Sequence, residues 1–567
     1  MKQRGGMKKV NRDLKLSYIA SLGVLGVSGT LFAVAAVAQE RLPGVVDRPA
    51  VEMPGEVAQP VKIEPKKMPE MEKQEGAEAI LATLTSVKFS GTPILEEEVL
   101  QQIAAPFLNR PLKREDIGQL KYDLTKRYYD EGYVLVKVTT PPQDLSQGVL
   151  EVVVFPGRIG ALEINSTALN PNVAEAMASG IVKGEPFNER NVETSVKDID
   201  DLGNIKSRLN LRPGKEFGTT DLLLTVEPVE EDVQQFTLDN YGSKLTGEVV
   251  AALDLTKSNL FGMGETIGLN LRKSNDDLET LMVDYKTPIA WRNLKLELNY
   301  LNSKNSIGDR LAALNASGKT ERFGVAISSN LINELERKVA WRAGIETRKH
   351  ESFLVNVLES KDDISQAYLE GSYLMRTPNY VLYGNLRGAK GIDLFGASNG
   401  GDALLSRAQG DPRAWRLQPT VYTNFRLTDN DYLQVVVLGQ FASHTLLASD
   451  LFALGGYGSV RGFQPAQETG ESGFQYSAEY NHQFFDEVSG WTIKAGPFLD
   501  GGKVYNRVPS SAVDSRLTSV GLGVEAKAAI FNVGETKLRF DWAHPIDSYK
   551  ATNINSDTFY LRFTQNF

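Results

Sequence analysis

The 567-residue chain has no cysteine and only four histidines, His350, His444, His482 and His544. Without cysteine no disulfide framework can hold a small exported core, so stability must come from a large core or a closed sheet. The histidines stand apart with no ligand spacing, which gives a zinc site or a catalytic imidazole nothing to build on. After Val37 there is no run of about twenty apolar residues, which excludes a helical membrane protein beyond that point. The shortage does not exclude a membrane, because a spanning strand needs only about 9–11 residues and alternates. A mean hydropathy of -0.25 and a net charge of -9 are therefore no argument for a soluble protein. With no basic domain, they do argue against nucleic acid as a partner.

Chemistry-bearing motifs are equally scarce. Gly318-Lys319-Thr320 suggests a phosphate loop, but the required upstream glycine position is Ala313. Gly521-Leu522-Gly523 lies inside an apparent strand and reads as a close-packing or bend position. No serine sits in a nucleophile elbow, and the acidic residues are spread over polar faces. No active site, metal or cofactor is expected, and the chain is not read as an enzyme.

The first residues present are an address. Lys2, Arg4, Lys8, Lys9, Arg12 and Lys15 precede an apolar run from Tyr18 to Val37 that ends in Ala36-Val37-Ala38. This reads as a signal peptide over residues 1–38, with a retained anchor as the alternative. Residues 39–78 form a linker in which Pro43, Pro49, Pro54, Pro60, Pro65 and Pro69 forbid a helix or sheet core.

Two α+β modules follow, at residues 79–157 and 158–230, each with the order β-α-α-β-β. In the first, Val87 and Phe89 alternate in a strand turning at Gly91. Thr92 is expected to cap a helix with Pro93 at its first position and Leu95, Val99 and Ile103 as its stripe. A second helix carries Ile117, Leu120, Leu124 and Tyr128 on one face and ends at Gly132, before strands at Tyr133–Thr139 and Val149–Phe155. The second module repeats this with Ile159–Ile164, helices near Val173–Ala178 and Asn188–Leu202, and strands near Ile205–Leu211 and Asp221–Glu227.

From residue 231 to 567 the pattern is β throughout. Leu294, Leu296, Leu298 and Tyr300 alternate with Lys295, Glu297 and Asn299, and Leu538, Phe540 and Trp542 alternate with Lys537, Arg539 and Asp541. A side-chain period of two sends every apolar residue to one face and every charge to the other. About sixteen such segments can be counted, with one more or fewer possible between Asn293 and Asn330. A secreted sandwich would also alternate, but the final strand (Phe559, Leu561, Phe563) leads to a chain ending on Phe567. Closing that strand on the first would satisfy the edge groups, as lipid requires.

Within this region stands Gly455-Gly456-Tyr457-Gly458-Ser459-Val460-Arg461-Gly462-Phe463, followed by Gly496-Pro497-Phe498-Leu499-Asp500. Glycines allow the tight turns and close backbone approach, and a lone arginine there wants a carboxylate. The alternative is an ordinary exposed hairpin tip. Val-Arg-Gly-Phe with Phe-x-Asp resembles the signature of the outer-membrane polypeptide-transport barrels. Tyr128-Tyr129-Asp130-Glu131-Gly132-Tyr133 and Leu211-Arg212-Pro213-Gly214 resemble polypeptide-transport-associated (POTRA) domains of the two-partner secretion type.

From Leu81 to Phe567 the chain thus resembles the haemolysin secretion/activation transporter family. The resemblance implies two periplasmic POTRA domains and a sixteen-stranded barrel in the outer membrane of a Gram-negative bacterium. It implies a lumenal loop at about 445–471 carrying Val460, Arg461, Gly462 and Phe463, with Phe498 and Asp500 on the barrel wall. Phe563 and Phe567 would serve as the barrel-insertion signal. The implied partners are a large secreted exoprotein of adhesin or haemolysin type, outer-membrane lipid and the barrel-assembly machinery, with no nucleotide hydrolysis. A barrel-assembly factor of the same superfamily would normally carry more POTRA units. A passive porin or receptor is the rival of a different class.

Overall fold

The computed structural model describes residues 80–229, 232–276, 278–289, 294–308, 315–486, 490–507, 515–530, 534–548 and 556–567. The signal peptide and linker expected over 1–78 lie outside the described residues. In the first module β1 (Ile80–Leu84) and β2 (Ser86–Gly91) lead to α1 (Glu97–Ala104), then β3 (Arg110–Lys113), α2 (Arg114–Asp130), β4 (Lys137–Thr139) and β5 (Val149–Phe155). Strand β2 runs parallel to β5, which pairs antiparallel with β4. The helices cover one face of this sheet, and Leu100, Leu120, Leu124, Tyr128 and Val152 are sealed into one core. Asp116 starts α2: its carboxylate accepts from the Lys113 backbone N–H at 2.7 Å, which satisfies one of the otherwise unpaired groups at a helix start. Gly132, at φ +89°, ends it.

Two expectations for this module need correction. Helix α1 begins at Glu97, not Pro93, because the Tyr128 hydroxyl accepts from the Ile94 and Leu95 amides at 3.1 and 3.4 Å. The Thr92 amide meanwhile donates to the Val154 carbonyl at 3.0 Å. Residues 92–96 are thus held as a tether from sheet to helix. The strand expected from Tyr133 begins only at Lys137, and the pair β1–β3 adds a second small sheet.

The second module runs β6 (Arg158–Ser166), α3 (Pro171–Met177), α4 (Glu189–Asp200), β7 (Ile205–Pro213) and β8 (Thr219–Pro228). Strand β6 is parallel to the central β8, and β7 is antiparallel to it. Asn170 and Asn188 cap α3 and α4 through their side chains. The modules join where the Asn188 side-chain Nδ2 donates to the Glu131 carbonyl at 2.9 Å and the Arg190 guanidinium to the Asp130 carbonyl at 2.7 Å.

Sixteen antiparallel strands, from Val233–Asp239 to Thr558–Asn566, close into a barrel. The uncertain stretch resolves into two strands, Lys295–Ser306 and Ser317–Asn333, which keeps the count at sixteen. Gly318, Lys319 and Thr320 lie in a strand paired on both sides, so no phosphate loop exists there. Closure rests on a short seam, Gln235–Asp239 against Arg562–Asn566, reinforced by the Arg562–Asp239 ion pair at 2.9 Å. Among the described residues no helix is long and apolar enough to cross a membrane.

Alternation places Phe474, Leu538, Phe540, Phe559 and Leu561 outward and exposed, while Gln475, Asp541 and Tyr560 are buried inside. Phe563 stays in the strand, opposite Leu238 and Leu538. Gln565 then breaks the apolar phase: it is buried and accepts from the Thr536 hydroxyl at 2.6 Å. Phe567 lies just past the strand, exposed, its amide donating to the Gln234 carbonyl at 2.9 Å. The second module touches the turns at 259–265 and 333–337, through Asn259 to the Ala168 carbonyl and Asn333 to Asp198. These turns therefore mark the periplasmic rim.

Candidate functional site in the barrel lumen

The strands Asp431–Ala442 and Ser472–Asp486 are neighbours in the barrel, yet 29 residues (443–471) separate them. The glycine-rich motif lies in this segment, which folds into the lumen. A small hairpin, Phe452–Leu454 against Glu468–Gly470, braces it. Beyond the hairpin Gly455 and Gly456 take φ values of +105° and +92°, and Gly462 takes +91°, conformations that strain any residue with a Cβ. At Gly462 the backbone approaches so closely that a Cβ would meet the Pro545 ring at 3.3 Å. Its amide donates to the Tyr560 hydroxyl at 2.9 Å. Val460 and Phe463 are buried with Leu454, Val504 and Leu517, which anchors the loop against the wall.

Arg461 is aimed at the wall and buried. Its Nε and Nη2 donate to the two Asp500 oxygens at 2.7 and 3.0 Å, a bidentate contact. Nη1 reaches Glu479 at 3.0 Å and Asp541 at 3.1 Å. The Arg461 backbone N–H also donates to Asp500, at 3.2 Å. Above the guanidinium lies the Phe498 ring, whose centroid is 3.3 Å from the guanidinium carbon, a cation–π contact strengthened by exclusion of water. The exposed-hairpin-tip alternative is thereby removed: Val460, Arg461, Gly462, Phe463, Phe498 and Asp500 come together in one place.

Sequence reasoning missed half of the cluster. Glu479 and Asp541 share a second cation, Arg539, at 2.7 and 2.6 Å. Ser477 donates to Asp500 at 2.7 Å and Tyr457 to Asp541 at 3.2 Å. Tyr457 stacks on Tyr241 with centroids 3.5 Å apart, which ties the loop to the barrel seam. A signal for these residues existed: Glu479 and Asp541 are inward-phase carboxylates on strands whose outward residues are apolar. The glycines Gly521 and Gly523 now have a reason. A Cβ at Gly521 would meet the Trp542 carbonyl at 2.0 Å and the Phe498 ring at 2.2 Å, and one at Gly523 the Arg539 guanidinium at 2.1 Å. They clear the space in which the ring and the second arginine lie. Two cations against three carboxylates, in a lumen lined by polar side chains, make a polar clasp and offer no nucleophile or metal ligand set.

The lodged loop, the closed sixteen-strand barrel and the periplasmic α+β modules define a polypeptide-transport barrel of the outer membrane. Residues 218–526, more than half of the chain, match the family described as haemolysin secretion/activation protein ShlB/FhaC/HecB, and residues 82–157 match the ShlB-type POTRA domain. The chain belongs to that family and is an outer-membrane transporter of the two-partner secretion type. It is 24% identical to the outer membrane transporter CdiB of Dickeya dadantii, over 78% of this chain and 80% of that protein. It is 24% identical to the heme/hemopexin transporter protein HuxB of Haemophilus influenzae, over 82% and 84% respectively. The solved structure of CdiB from Escherichia coli shares the fold with a TM-score of 0.75 at 20% identity, covering 90% of this chain and 94% of that one.

Proposed function

We propose that the chain secretes a large partner exoprotein, of adhesin or haemolysin type, through its barrel, and that the Val460–Phe463 motif holds the transport loop in its resting place. The observation that carries this reading is the Arg461 clasp, in which a buried cation of the loop meets three carboxylates of the wall. A plug held in this way can exchange its partners for water and for a polar incoming chain. Backbone groups may cross membrane depth only where protein or water satisfies them, and the inward faces of these strands are polar. With no nucleotide site in the sequence, export would draw on binding and on folding of the partner outside.

In this reading residues 1–38 direct export, 39–78 link, 79–157 and 158–230 recognise the unfolded partner, and 231–567 conduct it. The open edges β4 and β7 of the two module sheets are suited to taking an extended segment as an added strand. Lipid would contact the outward Phe and Leu residues, and Phe563 with Phe567 would be read by the barrel-assembly machinery. The role is transport, with no bond made or broken in the substrate by this chain. Deleting residues 79–230 while keeping the signal peptide and barrel should abolish partner secretion and leave a conducting pore in planar bilayers. Secretion at the normal level by that deletion would overturn the recognition role.

A further inference from the structure

The lumenal loop is gripped a second time, at its stem and with the charges reversed. Asp450 ends a short helical turn, Ala448–Asp450, just before the bracing hairpin. Asp450 is 8% exposed, and its carboxylate meets two arginines of the barrel wall: Arg348, in direct contact, and Arg416, whose Nη1 lies 2.8 Å from Oδ1. Arg416 also donates to Gln366 at 2.6 Å, and Arg387 is paired with Glu346 at 2.8 Å. At the tip the loop supplies the cation and the wall the carboxylates; at the stem the loop supplies the carboxylate and the wall the cations.

The stem also carries a cover. Residues 392–414 connect Tyr380–Gly391 to Trp415–Arg426 at the end of the barrel away from the modules. Leu405 of this connection packs with Ile364 and the fully buried Leu447 of the stem. The Ala448 amide donates to the Ser406 hydroxyl at 3.0 Å, and Arg407 donates to the Leu446 carbonyl and pairs with Glu471, both at 2.7 Å. The stem cannot leave the lumen without breaking these contacts, so the outer cover and the stem are fastened to each other.

We propose that Asp450, held by Arg348 and Arg416, is a second loop-positioning residue, one that pins the stem and the 392–414 cover independently of the Arg461 clasp. The proposal rests on the reading that the loop obstructs the lumen, but its test does not require secretion. Breaking one partner of a buried ion pair leaves the other stranded, so the pair should control how often the stem lifts.

Because the natural chain has no cysteine, Leu447→Cys introduces a single thiol that is sealed while the stem is seated. In purified full-length protein, Asp450→Asn should raise the rate of Leu447→Cys labelling by a water-soluble maleimide about tenfold or more. Asp450→Glu, which keeps the charge, should stay within about threefold of the parent. Arg416→Gln added to Asp450→Asn should change the rate little, as expected of residues acting as a unit. Single-channel recordings of Asp450→Asn without the cysteine should show a matching rise in opening frequency, which keeps the test intact should Leu447→Cys fold poorly. An unchanged labelling rate and opening frequency in Asp450→Asn would overturn the proposal. Equal acceleration by Asp450→Glu would do so too, since it would make the site one of packing and not of charge. Failure of the partner-secretion reading would appear in secretion assays and leave these two readouts untouched.

Discussion

In the first periplasmic module Leu100, Leu124 and Val152 are sealed and the charged residues lie mostly outside; in the barrel Phe540, Phe559 and Leu561 face outward, while the charged Asp500 and Asp541 are sealed inside. The same residue types are sorted in opposite directions by different surroundings. In the module, apolar surface leaves water for a packed core, at about 25 cal/mol for each Å² buried. In the barrel, apolar surface faces outward, and the interior is free to hold charge so long as each charge is partnered. Stability in the modules is therefore a matter of volume, and in the lumen a matter of charge pairing.

The largest effect should come from breaking the pairing. Arg461→Ala leaves Glu479, Asp500 and Asp541 with Arg539 as their nearby cation, and removing one partner of a buried pair costs about 3–5 kcal/mol. Partner secretion should fall to near background while the barrel still shows heat-modifiable migration. Arg461→Lys should rescue only in part, because an ammonium cannot reproduce the planar two-pronged contact with Asp500. Asp500→Ala should cost less than Arg461→Ala, since Arg461 keeps Glu479 and Asp541. Quantitative immunoblots of secreted partner check the order, and normal secretion by Arg461→Ala would deny the clasp any role in transport.

A medium effect should follow from volume. Leu124→Ala, in the sealed core of the first module, should destabilise that module by about 2–5 kcal/mol through the lost burial and the cavity left behind. Leu561→Ala, on the outward face, should change stability by about 0.5 kcal/mol or less, since truncating an exposed side chain leaves no enclosed cavity. Proteolysis of the membrane-inserted protein in increasing urea separates the two. Equal sensitivity would contradict the inside-out sorting.

Much of this division was legible in the chain because both periods, 3.6 in the module helices and 2 in the strands, read directly onto faces. Asp500 was legible as the partner of Arg461 because a lone arginine wants a carboxylate and the resemblance to the transport-barrel signature, Val-Arg-Gly-Phe with Phe-x-Asp, implied which one. Glu479 and Asp541 were not, because period two says which face a carboxylate takes but not its height along the barrel, and height depends on register. The start of α1 was misread for a related reason. Thr92-Pro93 has the local chemistry of a helix start, but the Tyr128 hydroxyl, more than thirty residues away, takes the Ile94 and Leu95 amides instead. Local propensity is a weak prior against a tertiary contact of that kind.

The smallest effect, and the one that tests the boundary between the two regions, concerns pH. The second module docks on the barrel rim through Asp198 and Asp201. Asp198 accepts from Asn330 at 2.6 Å and from Asn333 at 2.9 Å, and Asp201 accepts from Asn333 at 2.9 Å and pairs with Lys338. Burial drives both carboxyls upward, but the outcomes differ. At Asp198 burial prevails over the two asparagines and its pKa is raised, whereas at Asp201 the nearby Lys338 and Lys295 prevail and its pKa is lowered. The signs of their linkage are therefore opposite. Ionised Asp201 supports docking above its ordinary value, near pH 4, and that support is lost as pH falls through its depressed value. Ionised Asp198 opposes docking, and the opposition is relieved as pH falls through its raised value. Docking should thus tighten modestly as pH falls through the raised value of Asp198 and loosen as it falls further, through the depressed value of Asp201. Asp198→Asn should remove the tightening and keep the loosening, and Asp201→Asn should weaken docking at neutral pH and flatten its loss in acid. Spin labels placed on α4 and on the rim strands, in this cysteine-free chain, would follow the distance distribution across that range. A single monotonic response in the parent would show that other groups govern the joint.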